Sequence, residues 1–132
     1  MAENVDRLKQ GYQAFAEGDI EAVLDGFADD IQWEMPAAEG LPEQGFFYGK
    51  DEVSWMFRQI ANAYGDALRI APTEFIASGD TVVVLGYYEG SPNGNPFRVP
   101  YCTVCRFTAG EVSRIQTIFD TAVVIEALGR RG

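Results

Sequence analysis

One carboxylate stands at the end of the last apolar run of this chain: Asp120 closes Ile115-Gln116-Thr117-Ile118-Phe119, and Thr121-Ala122-Val123-Val124 follows it. A charge there must leave water, which is costly unless it is paired, neutralised or used. Burial raises a carboxyl's hold on its proton and fits it to pass one near neutral pH. The chain has no histidine, so a proton-transfer site must use a carboxylate, a tyrosine or a rarer group. Asp120 is the first candidate general acid/base; the alternative is a strand-end carboxylate that only caps the final turn. Tyr12, Tyr88 and Tyr101 carry hydroxyls that need partners when buried, and each could orient a ligand. Cys102 and Cys105 have Cys-X-X-Cys spacing, but they fall in Phe97–Phe107, which reads as a strand. An odd separation on a strand points two thiols to opposite faces, so they can neither pair nor share a metal. With no histidine and no second cysteine pair, no metal or cofactor is expected.

These residues must be held by elements that the periodicity outlines. Val5, Leu8, Tyr12 and Phe15 recur at helical spacing up to Glu17-Gly18. Asp19 then caps a short helix whose stripe is Ile20, Val23, Leu24 and Phe27, broken by Asp29-Asp30. Ile31, Trp33 and Met35 alternate with polar neighbours as a half-buried strand ending at Pro36, and a loop runs to Gly49. Within that loop Phe46-Phe47-Tyr48 suits a pocket lid or a dimer contact equally. A third helix begins near Asp51, with Val53, Met56, Phe57, Ile60 and Tyr64 on one face, and ends at Gly65. Four strands follow: Arg69–Ala77, Thr81–Glu89, Phe97–Phe107 and Glu111–Asp120. Their turn residues predict antiparallel neighbours. Ala122–Leu128 reads as a short strand or a helical tail. Helices followed by strands imply an α+β fold with helices gathered on one face of a curved antiparallel sheet. On Phe97–Phe107 the inward face is Phe97, Val99, Tyr101, Thr103, Cys105 and Phe107. On the last strand either Gln116, Ile118 and Asp120 or Ile115, Thr117 and Phe119 face inward, and periodicity alone does not choose.

With 132 residues the chain reads as one domain, 1–132, long enough to bury roughly two thirds of its unfolded surface. Ten basic against twenty acidic residues give a net charge of −10, which argues against nucleic acid and anionic membranes as partners. No apolar run approaches the length of a membrane span and the N-terminus is polar, so a cytoplasmic location is expected. The high aromatic share, 13%, suggests a large apolar interior or a lined cavity, and hence a hydrophobic or aromatic small molecule as partner.

Four segments in order carry a resemblance: Gly18-Asp19; Phe27-Ala28-Asp29-Asp30 into Trp33-Glu34-Met35-Pro36; Gly45-Phe46-Phe47-Tyr48-Gly49-Lys50-Asp51; and Ala109-Gly110-Glu111-Val112 running to Phe119-Asp120-Thr121-Ala122. Together they resemble the SnoaL-like branch of the nuclear transport factor 2 and ketosteroid isomerase superfamily, over nearly the whole chain. The resemblance implies a cone, a strongly curved sheet around three N-terminal helices with an apolar pocket at its wide end, and a homodimer through the outer sheet face. It also implies a cofactor-free cyclase or isomerase, or a ligand binder of the same fold. The aspartate that polyketide cyclases of this branch use on the last strand falls at Asp120, which puts Ile118 and Gln116 on the inward face beside it. The implied pocket comprises Tyr12, Phe15, Trp33, Met35, Phe47, Phe57, Tyr64, Tyr88, Tyr101, Thr103 and Ile118. Departures narrow the chemistry. Where ketosteroid isomerases place a base aspartate the chain has Met35, where they place a second aspartate it has Thr103, and their helix tyrosine falls at Gly11, next to Tyr12. The charged set of the epoxide hydrolases of this fold is replaced by Tyr101 and Thr103.

The separation of the two thiols makes a direct prediction. Purified protein titrated under mild denaturation should show both cysteines free, and elemental analysis should find no stoichiometric zinc or iron. One metal per chain would overturn the strand assignment of 97–107.

Overall fold

Leu8, Tyr12 and Phe15 lie one to two turns apart and form the inward stripe of helix α1 (Ala2–Ala16). The computed structural model describes residues 2–65 and 68–129. After α1 the chain turns directly into α2 (Ile20–Asp25), whose first turn is capped by Asp19, its carboxylate accepting from the Ala22 amide at 3.1 Å. Strand β1 (Phe27–Glu34), strand β2 (Phe46–Tyr48) and helix α3 (Gly49–Tyr64) follow. At the start of α3 the Glu52 carboxylate reaches back to the Tyr48 amide at 2.8 Å and satisfies a donor that the helix leaves open. The chain then builds β3 (Arg69–Ser78), β4 (Thr81–Gly90), β5 (Phe97–Thr108), β6 (Glu111–Phe119) and a final helix, α4 (Thr121–Ala127). No helix among the described residues is long and apolar enough to cross a membrane.

The six strands form one sheet in the order β2-β1-β6-β5-β4-β3. The four long C-terminal strands are antiparallel neighbours, as their turns predict. The sheet as a whole is mixed, because β1 runs parallel to β6 with Trp33 opposite Ile115. Helices lie against its inner face, giving the α+β cone-like arrangement. Register shifts bend it: on β3 the ladder slips between Pro72 and Glu74, where the Thr73 hydroxyl bonds the Leu85 carbonyl at 3.1 Å. Beside that bend, only glycine fits at position 86. A Cβ there would stand 2.4 Å from the Ala71 carbonyl oxygen and 2.8 Å from the Tyr101 ring. The core joins both layers. Ile31, Val53, Met56, Val82 and Val84 have no exposed surface, and each contributes about 2 kcal/mol by leaving water.

Several expectations change. Phe27 belongs to β1, not to the second helix, because it pairs opposite Val112 at the sheet's parallel seam. Asp29 and Asp30 therefore lie within a strand, both exposed, rather than breaking a helix. Phe46-Phe47-Tyr48 is a short edge strand zipped onto β1, with Phe47 opposite Trp33. Three helices do precede β3, but the C-terminal tail forms a fourth. On β6 the inward set is Ile115, Thr117 and Phe119, while Ile118 points outward at 57% exposure.

Asp120 is likewise corrected. It is exposed and serves as the N-cap of α4, its carboxylate accepting from the Ala122 amide at 3.2 Å. One residue of register separates it from the inward face, and it spends its oxygen on an orphan helix amide. Asp120→Ala should lower stability by about 1 kcal/mol in a denaturant melt, whereas Asp120→Asn, an equally good cap, should be near neutral. Equal losses from both would show that the charge, not the cap, matters.

Candidate functional site

The inward face of β5 is the floor of a cavity between sheet and helices. β5 contributes Phe97, Thr103 and Cys105; β4 contributes Tyr88; β6 contributes Ile115 and Phe119. Across from them, α1 supplies Leu8, Tyr12 and Phe15, and α3 supplies Phe57, Ile60 and Tyr64, in each case residues that share one helical face. Trp33 at the end of β1, Met35 just beyond it and Val124 of α4 complete the apolar wall. The cavity volume is about 110 Å³, and its mouth is open to solvent.

The polar atoms in this wall are few and organised. The Tyr12 and Tyr101 hydroxyls share a hydrogen bond of 2.9 Å, in which either can donate. The Tyr88 ring stacks on Tyr101 with centroids 4.3 Å apart and planes within 5°, and Phe119 meets Tyr88 edge-on at 5.3 Å. Trp33, a donor only, gives its Nε1–H to Thr117 at 3.0 Å, and the Thr117 and Thr103 hydroxyls lie 3.2 Å apart. Tyr64 contacts both carboxylate oxygens of Glu43 at 3.0 Å.

Burial decides the protonation of these groups. It raises Tyr12 well above the ordinary tyrosine value, with the neighbouring Tyr101 adding to the effect. Tyr88 is raised strongly, first by burial and then by the nearby Tyr101 and Glu43. Burial also pushes Tyr101 up to about 12, the bond with Tyr12 working the other way. The Cys105 thiol is likewise pushed to about 12 by burial, so it is no nucleophile at neutral pH. The cavity therefore offers neutral hydroxyl donors, suited to a carbonyl or enolate oxygen.

Of the residues expected from the sequence, Tyr12, Phe15, Trp33, Met35, Phe57, Tyr64, Tyr88 and Thr103 line this cavity. Tyr101 supports it from behind, through Tyr12 and Tyr88. Phe47 is buried but packs beside Trp55 with ring centroids 6.1 Å apart, away from the cavity lining. Ile118 and Asp120 lie on the surface. The residue that sequence reasoning missed is Glu43, 6% exposed and part of the wall. It sits in Leu41-Pro42-Glu43-Gln44-Gly45, a loop with no periodicity to mark it as inward. Its one signal is position, between a leucine that needs burial and a turn glycine. Among the described residues no three side chains of metal-ligating type converge.

The same fold occurs in known proteins. TerC, solved with polyporic acid, is 29% identical over 96% of this chain and 98% of its own, with a TM-score of 0.89. An NTF2-like protein of unknown function from Burkholderia pseudomallei is 32% identical over 97% of this chain and 98% of its own, again with a TM-score of 0.89. IdmH of Streptomyces antibioticus, for which polyketide cyclase activity has been proposed, shares the fold at 20% identity, covering 96% of this chain and 98% of its own, with a TM-score of 0.79. No curated protein matches the chain significantly. The model of the SnoaL-like domain matches residues 8–115. With β1, α3 and most of the long strands inside that match, the chain belongs to the SnoaL-like domain family of the NTF2-like superfamily.

Proposed function

We propose that the cavity binds a flat hydrophobic or aromatic carbonyl compound, and that the protein acts on it by cofactor-free proton transfer of the cyclase or isomerase type. The observation that carries this reading is the cavity itself, an aromatic-lined apolar pocket whose wall offers neutral hydroxyls at Tyr12 and Tyr88. Such donors stabilise negative charge as it develops on a carbonyl oxygen, and an apolar lining strengthens that interaction. TerC's co-crystallisation with polyporic acid supports an aryl-substituted quinone as the ligand class. A net charge of −10 favours a small molecule over nucleic acid or a membrane, and fits a cytoplasmic protein. A second reading, a non-catalytic binder, draws support from Asp120, because the carboxylate that the family resemblance made catalytic lies outside the cavity.

Trp33 lines the cavity and Trp55 is surface-exposed, so a Trp55→Phe protein reports on the site by fluorescence. Titration with 2,5-dihydroxy-1,4-benzoquinone, a one-ring quinone, and with polyporic acid should give saturable quenching. Tyr88→Phe should weaken binding about tenfold by removing one hydrogen bond. Linear, unsaturable quenching by both compounds would reject the cavity as their site.

We further propose a homodimer through the outer sheet face. There the cross-strand rows Ile76–Val83–Val104 and Leu85–Cys102–Ile118 place apolar side chains side by side. Ile76 and Ile118 are 52% and 57% exposed. Arg98, Arg106 and Arg114, with Glu34 and Glu74, surround this centre, and a polar rim around an apolar core suits a self-complementary contact. Light scattering should give twice the monomer mass, and Val104→Glu should give the monomer. A wild-type monomer at every concentration would overturn the proposal.

A further inference from the structure

The loop between β1 and β2 brings a carboxylate into the cavity. Its neck is closed by the Met35 amide on the Gly45 carbonyl at 2.7 Å and the Gly45 amide on the Pro36 carbonyl at 3.3 Å. Inside the loop, turns run from Leu41 to Ala38 at 3.1 Å and from Gln44 to Leu41 at 3.3 Å. Leu41 is 2% exposed and anchors the loop to the core. Gly45 has a φ of +98°, which lets the chain re-enter β2 without the strain another residue would carry. The result is a compact, clamped loop of the kind that presents functional side chains. Glu43 is the side chain it turns inward.

An apolar residue would fill the same place at lower cost, since moving a carboxylate out of water is unfavourable even when hydrogen bonds compensate. Glu43 is nevertheless the one carboxylate among the described lining residues. Tyr64 on α3 fixes it by contact with both oxygens. Its charge also acts on Tyr88 of β4, another lining residue. Glu43 and Tyr88 thus line the same cavity, one a proton acceptor and the other a donor.

We infer that Glu43 is the proton-carrying catalytic residue of this cavity, with Tyr64 as its positioning residue. The inference rests on the reading of the cavity as a carbonyl-compound site. Glu43 removes a proton from the carbon next to a carbonyl. The C–H electron pair becomes the C=C of an enolate, and the Tyr88 hydroxyl bonds the enolate oxygen. For an isomerisation, protonated Glu43 returns its proton at another carbon. For a cyclisation, the enolate carbon bonds to a second carbonyl carbon, whose oxygen takes the proton from Glu43. Each route restores the carboxylate and needs no oxidant or further reactant. Tyr64 from α3 contacts Glu43, and the other ionisable groups in and behind the cavity wall are Tyr12 from α1, Tyr88 from β4, and Tyr101 and Cys105 from β5. The last four keep their protons at neutral pH, which leaves the transfer to the carboxylate.

The test uses 2-indanone, a compact ketone with acidic C–H bonds beside its carbonyl. Its binding is followed by Trp33 quenching in Trp55→Phe protein, and its hydrogen–deuterium exchange by proton NMR in D₂O. Wild type should accelerate exchange over buffer, and Glu43→Gln should lower that rate by about 10² with binding little changed. Tyr64→Phe keeps the carboxylate but removes a donor to it, so the acid limb of the rate–pH profile should move to higher pH. A folded Glu43→Gln exchanging at the wild-type rate overturns the proposal. So does wild type that binds 2-indanone without accelerating exchange, although the cavity then stands as a binding site. If Glu43→Gln fails to fold, an unshifted Tyr64→Phe profile overturns it instead. Absence of binding by wild type rejects the underlying reading, and the proposal with it.

Discussion

The register between β5 and β6 determines what the interior of this protein contains. Tyr101 faces Phe119, Thr103 faces Thr117 and Cys105 faces Ile115, so three consecutive inward rows are fixed together. A slip of one residue would turn Ile118 and Asp120 inward and expose Phe119. Such a slip would bury a charge and leave Trp33 without the Thr117 hydroxyl that accepts its indole proton. The apolar and polar requirements select the same register. The parallel seam with β1 extends it, since Trp33 pairs with Ile115 on the far side of β6. Through that row the hydroxyls, the indole and the aromatic stack become one wall.

The wall is polar in a restricted way. Its tyrosines sit where ionisation would be expensive, so they remain neutral and act as hydrogen-bond donors or acceptors. The stacked pair Tyr88–Tyr101 also depends on Gly86, because a side chain there would collide with the Tyr101 ring and with the bend in β3. Sheet curvature and ring placement are therefore the same constraint. A flatter sheet would need no glycine at 86, and the space enclosed between its face and the helices would be smaller.

The sequence made the alternation of β5 legible, since six inward residues differ plainly in polarity from their neighbours. The helical faces of α1 and α3 were legible too, because a packed helix shows its stripe. Less legible was the start of β1. Phe27 continues the spacing of Ile20, Val23 and Leu24, and only pairing with Val112 makes it a strand residue. Nor did alternation settle β6, where Ile115, Phe119 and Ile118 are all apolar. The outer face of this sheet is itself apolar, so hydrophobicity does not distinguish inside from outside there. Glu43 was illegible for a different reason. Its inward placement comes from the closure of a loop by backbone bonds, which leave no periodic trace.

A carboxylate at position 120 and one at position 43 differ in what their backbones ask of them. Asp120 stands where a helix begins, and α4 leaves amides that need an acceptor. Its oxygen is engaged locally and stays wet. Glu43 stands in a loop whose backbone groups are engaged at its neck and in its turns, so its side chain can reach inward to Tyr64. Within one fold, a polar role at the cavity can thus pass from a strand end to a loop with no change in the sheet that supports both. The fold fixes the enclosure, and short irregular segments decide which charge enters it. For this chain the loop between β1 and β2, rather than the last strand, places a carboxylate beside the hydroxyl donors.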